Sequence, residues 1–424
     1  MTKDKISPVS STDRIQYLDI LRGIAILFIF LANVPFFSGT AFYTDEMSLS
    51  FATRSFDYIL EIAAYALVDG KFYSIFSILF GIGFVVQYNS AMRSGRPFAT
   101  FFSRRMFGLL LIGLAHLFLI WVGDILTLYA LLGFVLIAFR NFNDKQLLKW
   151  AAVLLILPIA HWFFMYATGL YYPYILFGVF DQFAVSRGME LTDWRGFGIL
   201  MSNPLDFLLL TDFGQFIVFN LVRPVVRLGL LLMDGRFFKV LALFLMGIWA
   251  GRQILDKNIL QDRKLLVKIA VWGFAIGLPM NIFRTVINFS SLSGDFWTFL
   301  SYVTYAGGVV PLACGYSAAI ALIVLSRQRI LSWFAPVGKM ALSNYIFQSI
   351  IAITIFYGVG FGYAGSFGYS ITVIIALAIF AWQIAFSMIW LRYFRFGPVE
   401  WIWRQMTYGK RIPNRIEPVV MVKI

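Results

Sequence analysis

Two histidines are all that 424 residues hold, and one of them sits inside an apolar run, "GLAHLFLIWVGDILTLYALLGF", Gly113–Phe134. A histidine near its ordinary pKa is the usual general base, and an aspartate can orient it. His116 and Asp124 are therefore the first candidates for catalysis. Eight residues on one continuous helix would leave them about 80° apart around the axis and about 12 Å apart along it. They can bond only if a turn at Gly123 folds Asp124 back. The spacing favours two contributions to one cavity over a dyad.

Other polar side chains stand in equally apolar surroundings. In "LDILRGIAILFIFLAN", Asp19 and Arg22 are i,i+3 neighbours, and Asn33 follows Arg22 by eleven residues. Eleven steps bring Asn33 back to within about 20° of the Arg22 face, about 16 Å further along. A polar stripe of this kind should face a bundle interior or a wet cavity, because charge in lipid costs several kcal/mol. Asp69, Lys71 and His161 fall near the level of Asn33 and Asp124, with His116 deeper. Arg223 and Arg227 could form an anion-binding wall for a phosphate or carboxylate. Asn344 and Gln348 share one face in "GKMALSNYIFQSI". Substrate binding is the functional role for all nine of these residues; helix packing through polar contacts is the plainer one.

The elements that must carry these residues are membrane helices. Hydrophobic residues make up 60% and charged residues 13% of the chain, and mean hydropathy is +0.80. A soluble domain has roughly a quarter of its residues charged. The expected fold class is an all-α polytopic membrane protein. About ten spans are read near Leu18–Phe37, Phe72–Met92, Met106–Val122, Ile125–Phe139, Leu147–Tyr166, Phe238–Gln253, Leu265–Phe283, Phe296–Leu325, Met340–Val359 and Tyr369–Leu391, each of bilayer-compatible length. The net charge of +14 collects in loops on one side, around Arg93–Arg105, Arg140–Lys149, Arg252–Lys268 and Arg327–Lys339. By the positive-inside rule that side, with both termini, is cytoplasmic. Asp45, Glu46, Asp57, Asp181, Glu190, Asp193 and Asp295 lie on the other.

One stretch breaks the charge pattern. "FIVFNLVRPVVRLGLLLMDGRFFK" places Arg223, Arg227, Arg236 and Lys239 on the outer side, with Pro224 as a helix breaker. It is read as an amphipathic or re-entrant element of the outer face. The organisation is then a cytoplasmic tail 1–17, a membrane bundle 18–170, the outer-face region 171–235, a second bundle 236–395 and a basic tail 396–424. No internal repeat stands out. Cys314 is the only cysteine, no phosphate loop or paired-histidine zinc helix is present, and no metal site is expected.

Six stretches together resemble a family of bacterial inner-membrane proteins, the YeiB-like family, known mainly as an uncharacterised domain. They are "YLDILRGIAILFIFLANVPFF", "DGKFYSIFSILFGIGF", the His116 run, "GRFFKVLALFLMGIWAGR", "GKMALSNYIFQSIIAITIFYGVGFG" and "FRFGPVEWIWRQMTYGK". That family looks related to the transmembrane acyltransferase superfamily. In its sugar O-acyltransferases an arginine of the first helix is followed eleven residues later by a catalytic histidine; here the pair is Arg22 and Asn33. Heparan-α-glucosaminide N-acetyltransferases also carry asparagine at that place and use a histidine soon after the first helix, where this chain has none. The resemblance implies acyl transfer from acyl-CoA to a lipid, sugar or envelope acceptor in the bacterial cytoplasmic membrane, with His116 as base and acyl-CoA as co-substrate. No bound cofactor is expected. The alternative is a carrier of a small anionic solute without covalent chemistry. Expected partners are the lipid bilayer and a small-molecule, lipid or sugar substrate; nucleic acid is not expected, and a homo-oligomer stays open.

Overall fold

The computed structural model describes residues 16–192 and 201–416. Asp193 and parts of the tails 1–17 and 396–424 lie outside these residues. From the basic end, α1 (Gln16–Ser38) rises to the far end, where α2 (Asp45–Leu49) and α3 (Arg54–Leu67) follow and α4 (Lys71–Arg93) returns. α5 (Phe98–Ala115) and α6 (Leu126–Leu136) form a hairpin, and α7 (Asp144–Thr168) rises again. α8 (Tyr174–Ser186), α9 (Pro204–Leu208), α10 (Phe213–Val222) and α11 (Pro224–Met233) occupy the far end before α12 (Arg236–Lys257) descends. α13 (Arg263–Phe289) and α14 (Asp295–Leu331) pack as a long pair, followed by α15 (Phe334–Lys339), α16 (Ala341–Phe356), α17 (Tyr369–Tyr393) and α18 (Pro398–Tyr408). Two-residue strands, Leu191–Thr192 and Met201–Ser202, pair antiparallel as the sole sheet of the described residues.

This is an all-α polytopic membrane protein. Nine helical stretches of the described residues are long and apolar enough to cross a membrane. α6 and α16 are shorter, yet each carries the chain from one end to the other. α1, α4, α5, α6, α7, α12, α13, α14, α16 and α17 coincide with the ten spans read from the sequence. Local chemistry sets their ends: Asn143 and Gln146 make a reciprocal capping box at the start of α7, and Asp262 caps α13 through the Leu265 N–H.

Region 171–235 adds no net crossing, as the charge pattern requires. Phe213–Met233 is long and apolar enough to span, but Pro224 divides it into two ten-residue helices. Leu208, just before it, holds the Gly358 N–H through its carbonyl at the far end of α16. α11 then feeds α12, which runs to the basic end. The charge argument succeeded here because it counts sides, whereas hydropathy counts only length.

A short motif that the sequence reading passed over recurs at the centre. Leu67–Tyr73 reads LVDGKFY, and Leu232–Phe238 reads LMDGRFF. Each Asp-Gly turn joins a far-end helix to a long descending one, α3 to α4 and α11 to α12. Gly70 (φ 81) and Gly235 (φ 56) take the left-handed conformation that an N-terminal turn of this shape requires. α4 and α12 then pack in parallel, because a Cβ on Gly81 would lie 2.8 Å from the Gly247 Cα, and one on Gly251 would lie 3.1 Å from the Ile82 Cα. Small residues allow this close approach, from which packing in lipid draws its energy. Around the seam α1 and α14 pack on α4, while α7 and α6 pack on α12. The two Asp-Gly turns thus open two helices that pack side by side, a likeness shown over seven residues.

The Asp-Gly turns lie inside the bundle, short of the far ends of α7 and α14. Gly235 packs on Pro158 and Gly70 on Tyr305. α7 continues ten residues past Pro158, and α14 begins ten residues before Tyr305, which is about 15 Å of helix in each case. α4 and α12 run 23 and 22 residues from the turns to the basic end, about 34 Å of helix, so the turns lie towards the far boundary of a core of about 30 Å. Non-helical backbone inside a membrane bundle is tolerated only where protein or a water-filled cavity surrounds it.

Candidate functional site

Such a cavity is present. About 1040 Å3 in volume, it runs between α1, α4, α5, α6 and α16, with α8 and α11 towards the far end and α18 across the basic end. The size stands at the top of the roughly 300–1,000 Å3 range of small-molecule sites. Its waist is apolar and aromatic, with Phe76, Phe80, Leu109, Trp121 and Tyr129 among the lining. Arg22, Arg105, Lys339 and Arg404 line it towards the basic end, and Arg223, Arg227 and Arg236 towards the far end. Four carboxylates, Asp69, Asp181, Asp234 and Glu400, also line it, so seven cations face four anions, an excess of three positive charges. Excess positive charge in a low-dielectric setting attracts anions.

The carboxylates are engaged. Asp69 accepts from Arg284 at 2.8 Å, and Asp234 pairs with Arg236. Glu400, on α18, accepts from the Leu342 and Ser343 N–H groups at the start of α16 and from the Ser343 hydroxyl. α18 is therefore part of the bundle rather than a loose tail. Trp403 fixes its other face, donating to the Arg105 carbonyl at 2.7 Å while the Arg105 guanidinium stacks on its ring at 3.6 Å.

Residues chosen from the sequence divide into two groups. Arg22, Asn33, Asp69, Arg223 and Arg227 line the cavity; Arg22 is held by Asp19 at 3.0 Å, and Arg223 stacks over Phe207 at 3.6 Å. The other group turns away. Lys71 is buried and donates to the Tyr65 carbonyl at 3.2 Å. His161 bonds the Tyr172 hydroxyl at 2.8 Å and does not reach the cavity. Asn344 and Gln348 join α16 to α17, Asn344 donating to Ser387 at 3.0 Å and Gln348 to Gln383 at 2.9 Å. Their shared face is a helix contact, so helix packing, the plainer of the two roles, describes them.

His116 and Asp124 bond directly, which corrects the spacing argument. After Ala115 the helix widens into a π turn, His116–Ile120, and Trp121 becomes extended (φ −150, ψ 130). The chain then turns tightly, with the Trp121 ring close over Gly123, and Asp124 comes back beneath the imidazole. The Nδ1···Oδ1 distance is 3.0 Å, and Nε2 lies 2.9 Å from the Ser349 hydroxyl. Asp124 also caps α6 through the N–H groups of Leu126 and Thr127, and Arg227 clamps its carbonyl at 2.9 Å. This Ser–His–Asp chain has the connectivity of an activated nucleophile. It is also sealed: His116 is 1%, Ser349 2% and Asp124 3% exposed, and none of the three lines the cavity. Tyr345 and Trp121 stand between.

Sequence reasoning missed Ser349, Arg105, Glu400 and Arg404 as site residues. Ser349 differs from many membrane-helix serines by nothing visible in the chain. The repeated Asp-Gly-Lys/Arg-Phe motif would have found Arg236 at once.

Uncharacterized protein YxaH of Bacillus subtilis is 31% identical over 420 residues, covering 95% of this chain and 96% of the relative. The chain belongs to the YeiB-like family. YeiB of Escherichia coli, itself uncharacterized, is 28% identical over 413 residues, 92% of this chain and 95% of its own. An uncharacterized 39.9 kDa protein from the amylase 3′ region of Bacillus acidopullulyticus is 28% identical over 408 residues, 96% and 98% of the two chains. The model of a protein family of unknown function, DUF418, matches residues 250–410, the stretch from the lower half of α12 to α18. No solved structure matches.

Proposed function

We propose that this protein binds an anionic amphiphile in its central cavity and carries it between the two faces of the membrane without covalent chemistry. The observation that supports this most is the cation-rich cavity itself, which reaches from Arg22 and Arg105 past an aromatic waist to Arg223, Arg227 and Arg236. Aromatic walls suit an acyl chain, and the three surplus charges suit a carboxylate or phosphate head. The proposed location is the bacterial cytoplasmic membrane, supported by the basic loops and the bacterial relatives.

The assay is transbilayer movement in proteoliposomes, read by dithionite quenching of a fluorescent short-chain phosphatidic acid, with the matching neutral diacylglycerol as control. Faster movement of the anionic probe, reduced by Arg22→Met, is expected. Equal rates in protein-free vesicles, or a preference for the neutral probe, would sink the proposal.

A second reading, acyl transfer from acyl-CoA, has one observation in its favour: the Ser349–His116–Asp124 chain one side-chain layer behind the cavity wall. The basic-end arginines would hold the donor's phosphates, and Tyr345 with Trp121 would have to move aside for His116 to act. Radiolabel passing from palmitoyl-CoA to a lipid or sugar acceptor, and lost in His116→Ala, decides for this reading; no transfer across a panel of acceptors decides against it.

A further inference from the structure

α18 lies across the basic end of the cavity, where Glu400, Trp403, Arg404 and Tyr408, with Phe396 just before the helix, line it. Both ends of this helix are tied to one place. Before it, the segment 394–397 leaves α17. After it, the chain returns to that same segment, Arg415 bridging to Phe394. The Asn414 side-chain oxygen accepts from the Phe396 N–H at 2.9 Å, and the Asn414 carbonyl accepts from the Arg395 N–H at 2.8 Å. The Ile416 N–H reaches the Tyr393 carbonyl at 2.8 Å. Inside the loop so closed, the Trp401 indole donates to the Ile412 carbonyl at 2.7 Å. α18 and its return segment are thus one braced unit rooted at the end of α17.

The opposite side of this unit rests on the bundle through polar contacts. Glu400 accepts from the start of α16, and the Val399 N–H donates to the Ser343 hydroxyl at 3.0 Å. Trp403 meets Arg105. Apolar burial adds little: among the described residues Thr407 is the one member of α18 that is buried, whereas ten of α16 are. Hydrogen bonds at a membrane edge exchange with water at small net cost, unlike the exposure of apolar surface. Docking also brings Arg404 to a wall that holds Arg105 and Lys339, and like charges oppose it. The contact with α16 and α5 is therefore the weaker edge of the unit, and the root beside α17 is the firmer one.

We infer that α18 is a gate: it swings on its root beside α17 to open the cavity to the basic side, with Glu400 and Ser343 as the latch. The docked position described above is the closed one. This deepens the carrier reading by naming the door on the basic side, and it rests on that reading only for what passes through.

Access to the cavity is read with a reporter cysteine, Gly83→Cys, in a Cys314→Ala background. Gly83 lines the cavity, and a Cβ there meets nothing within 4 Å. Inverted membrane vesicles present the basic end to a membrane-impermeant anionic thiosulfonate. A second pair, Gly108→Cys with Met406→Cys, locks α18 onto α5. A Cβ on Gly108 would lie 3.3 Å from that of Met406, near the roughly 3.5–4.5 Å that a disulfide spans. Labelling of Gly83→Cys is expected to stop when the pair is oxidised, and to return once it is reduced and the reductant removed. Glu400→Ala removes the charge-assisted bonds of the latch and should speed labelling at least about tenfold. The oxidised and reduced states are one protein, so the comparison holds even where Glu400→Ala fails to fold. Equal labelling in the two states overturns the inference. So does a pair that will not oxidise in folded protein, or unchanged labelling in folded Glu400→Ala. If the lock stops labelling while the protein never speeds the fluorescent phosphatidic acid, the gate stands and the carrier reading falls.

Discussion

The seam between α4 and α12 makes a prediction whose sign reverses within two residues. A Cβ placed on Gly81 would lie 2.2 Å from the Phe244 carbonyl oxygen and 2.8 Å from the Gly247 Cα. Comfortable contact is about 3.5–4.0 Å, so the helices must separate by about 1 Å. Both obstacles are backbone, and neither can rotate away. The cost belongs at the upper end of the about 1–3 kcal/mol range for overpacking. Alanine recovers about 1 kcal/mol of helix propensity over glycine, which leaves Gly81→Ala destabilised by about 2 kcal/mol. Gly83 lies on the same helix with nothing within 4 Å of its would-be Cβ. Gly83→Ala should therefore stabilise by up to about 1 kcal/mol, and the two variants should differ by about 3 kcal/mol. Equilibrium unfolding in SDS–decylmaltoside mixed micelles, followed by tryptophan fluorescence, measures both. Shifts of the same sign and similar size would refute the close-packed seam.

Three further outcomes follow from contacts already described. His116→Ala removes a sealed imidazole that joins Asp124 to Ser349, and should destabilise by about 3 kcal/mol through the cavity and the broken bonds. In the same variant, binding of an anionic amphiphile should survive in protein that remains folded; loss of binding with unchanged stability would contradict the sealed geometry. Gly235→Ala forces a Cβ into left-handed backbone 2.9 Å from the Pro158 side chain and should lower the unfolding midpoint measurably, whereas Gly95→Ala, with equally positive φ but open space around it, should show only the backbone strain. Finally, burial raises the pKa of the Glu400 carboxyl above its ordinary 4.5, although hydrogen bonds from Ser343 and the Leu342 and Ser343 N–H groups pull the other way. With the folded value above the unfolded one, the folded state binds more protons between the two, so docking of α18 weakens as pH rises through that window and tightens on acidification. Hydrogen exchange of α18 against pH should show this slope, and Glu400→Gln should flatten it.

Much of the architecture was legible because membrane physics is coarse. Span length and loop charge placed ten crossings, and the surplus of Arg223, Arg227, Arg236 and Lys239 correctly denied Phe213–Met233 a net crossing. The cavity's polar stripe on α1 was legible too, since Arg22 and Asn33 share a face at helical spacing. What stayed hidden depended on departures from a regular helix. The π turn at His116 cancels the rotation that should have separated His116 from Asp124. The fate of Asn344 and Gln348 turned on which neighbour their face met, and α17 supplied complementary partners in Ser387 and Gln383. Arg105 and Arg404 entered the site only because α18 folds back under the bundle.

The shortness of α6 and α16 has a consequence for how the chain is made. Leu126–Phe139 and Ala341–Phe356 fall below the length that crosses a bilayer unaided. α6 must therefore enter the membrane together with α5, as a hairpin rather than as a lone stop-transfer segment. Its tip, with His116, then waits for Ser349, which lies 233 residues later in synthesis. Leu208 waits likewise for Gly358. The N-terminal bundle leaves the ribosome long before its own centre can close, and α16 is the helix that completes it. Truncation anywhere before α16 should leave an inserted but protease-sensitive core, which makes the last third of the chain a checkpoint for the first.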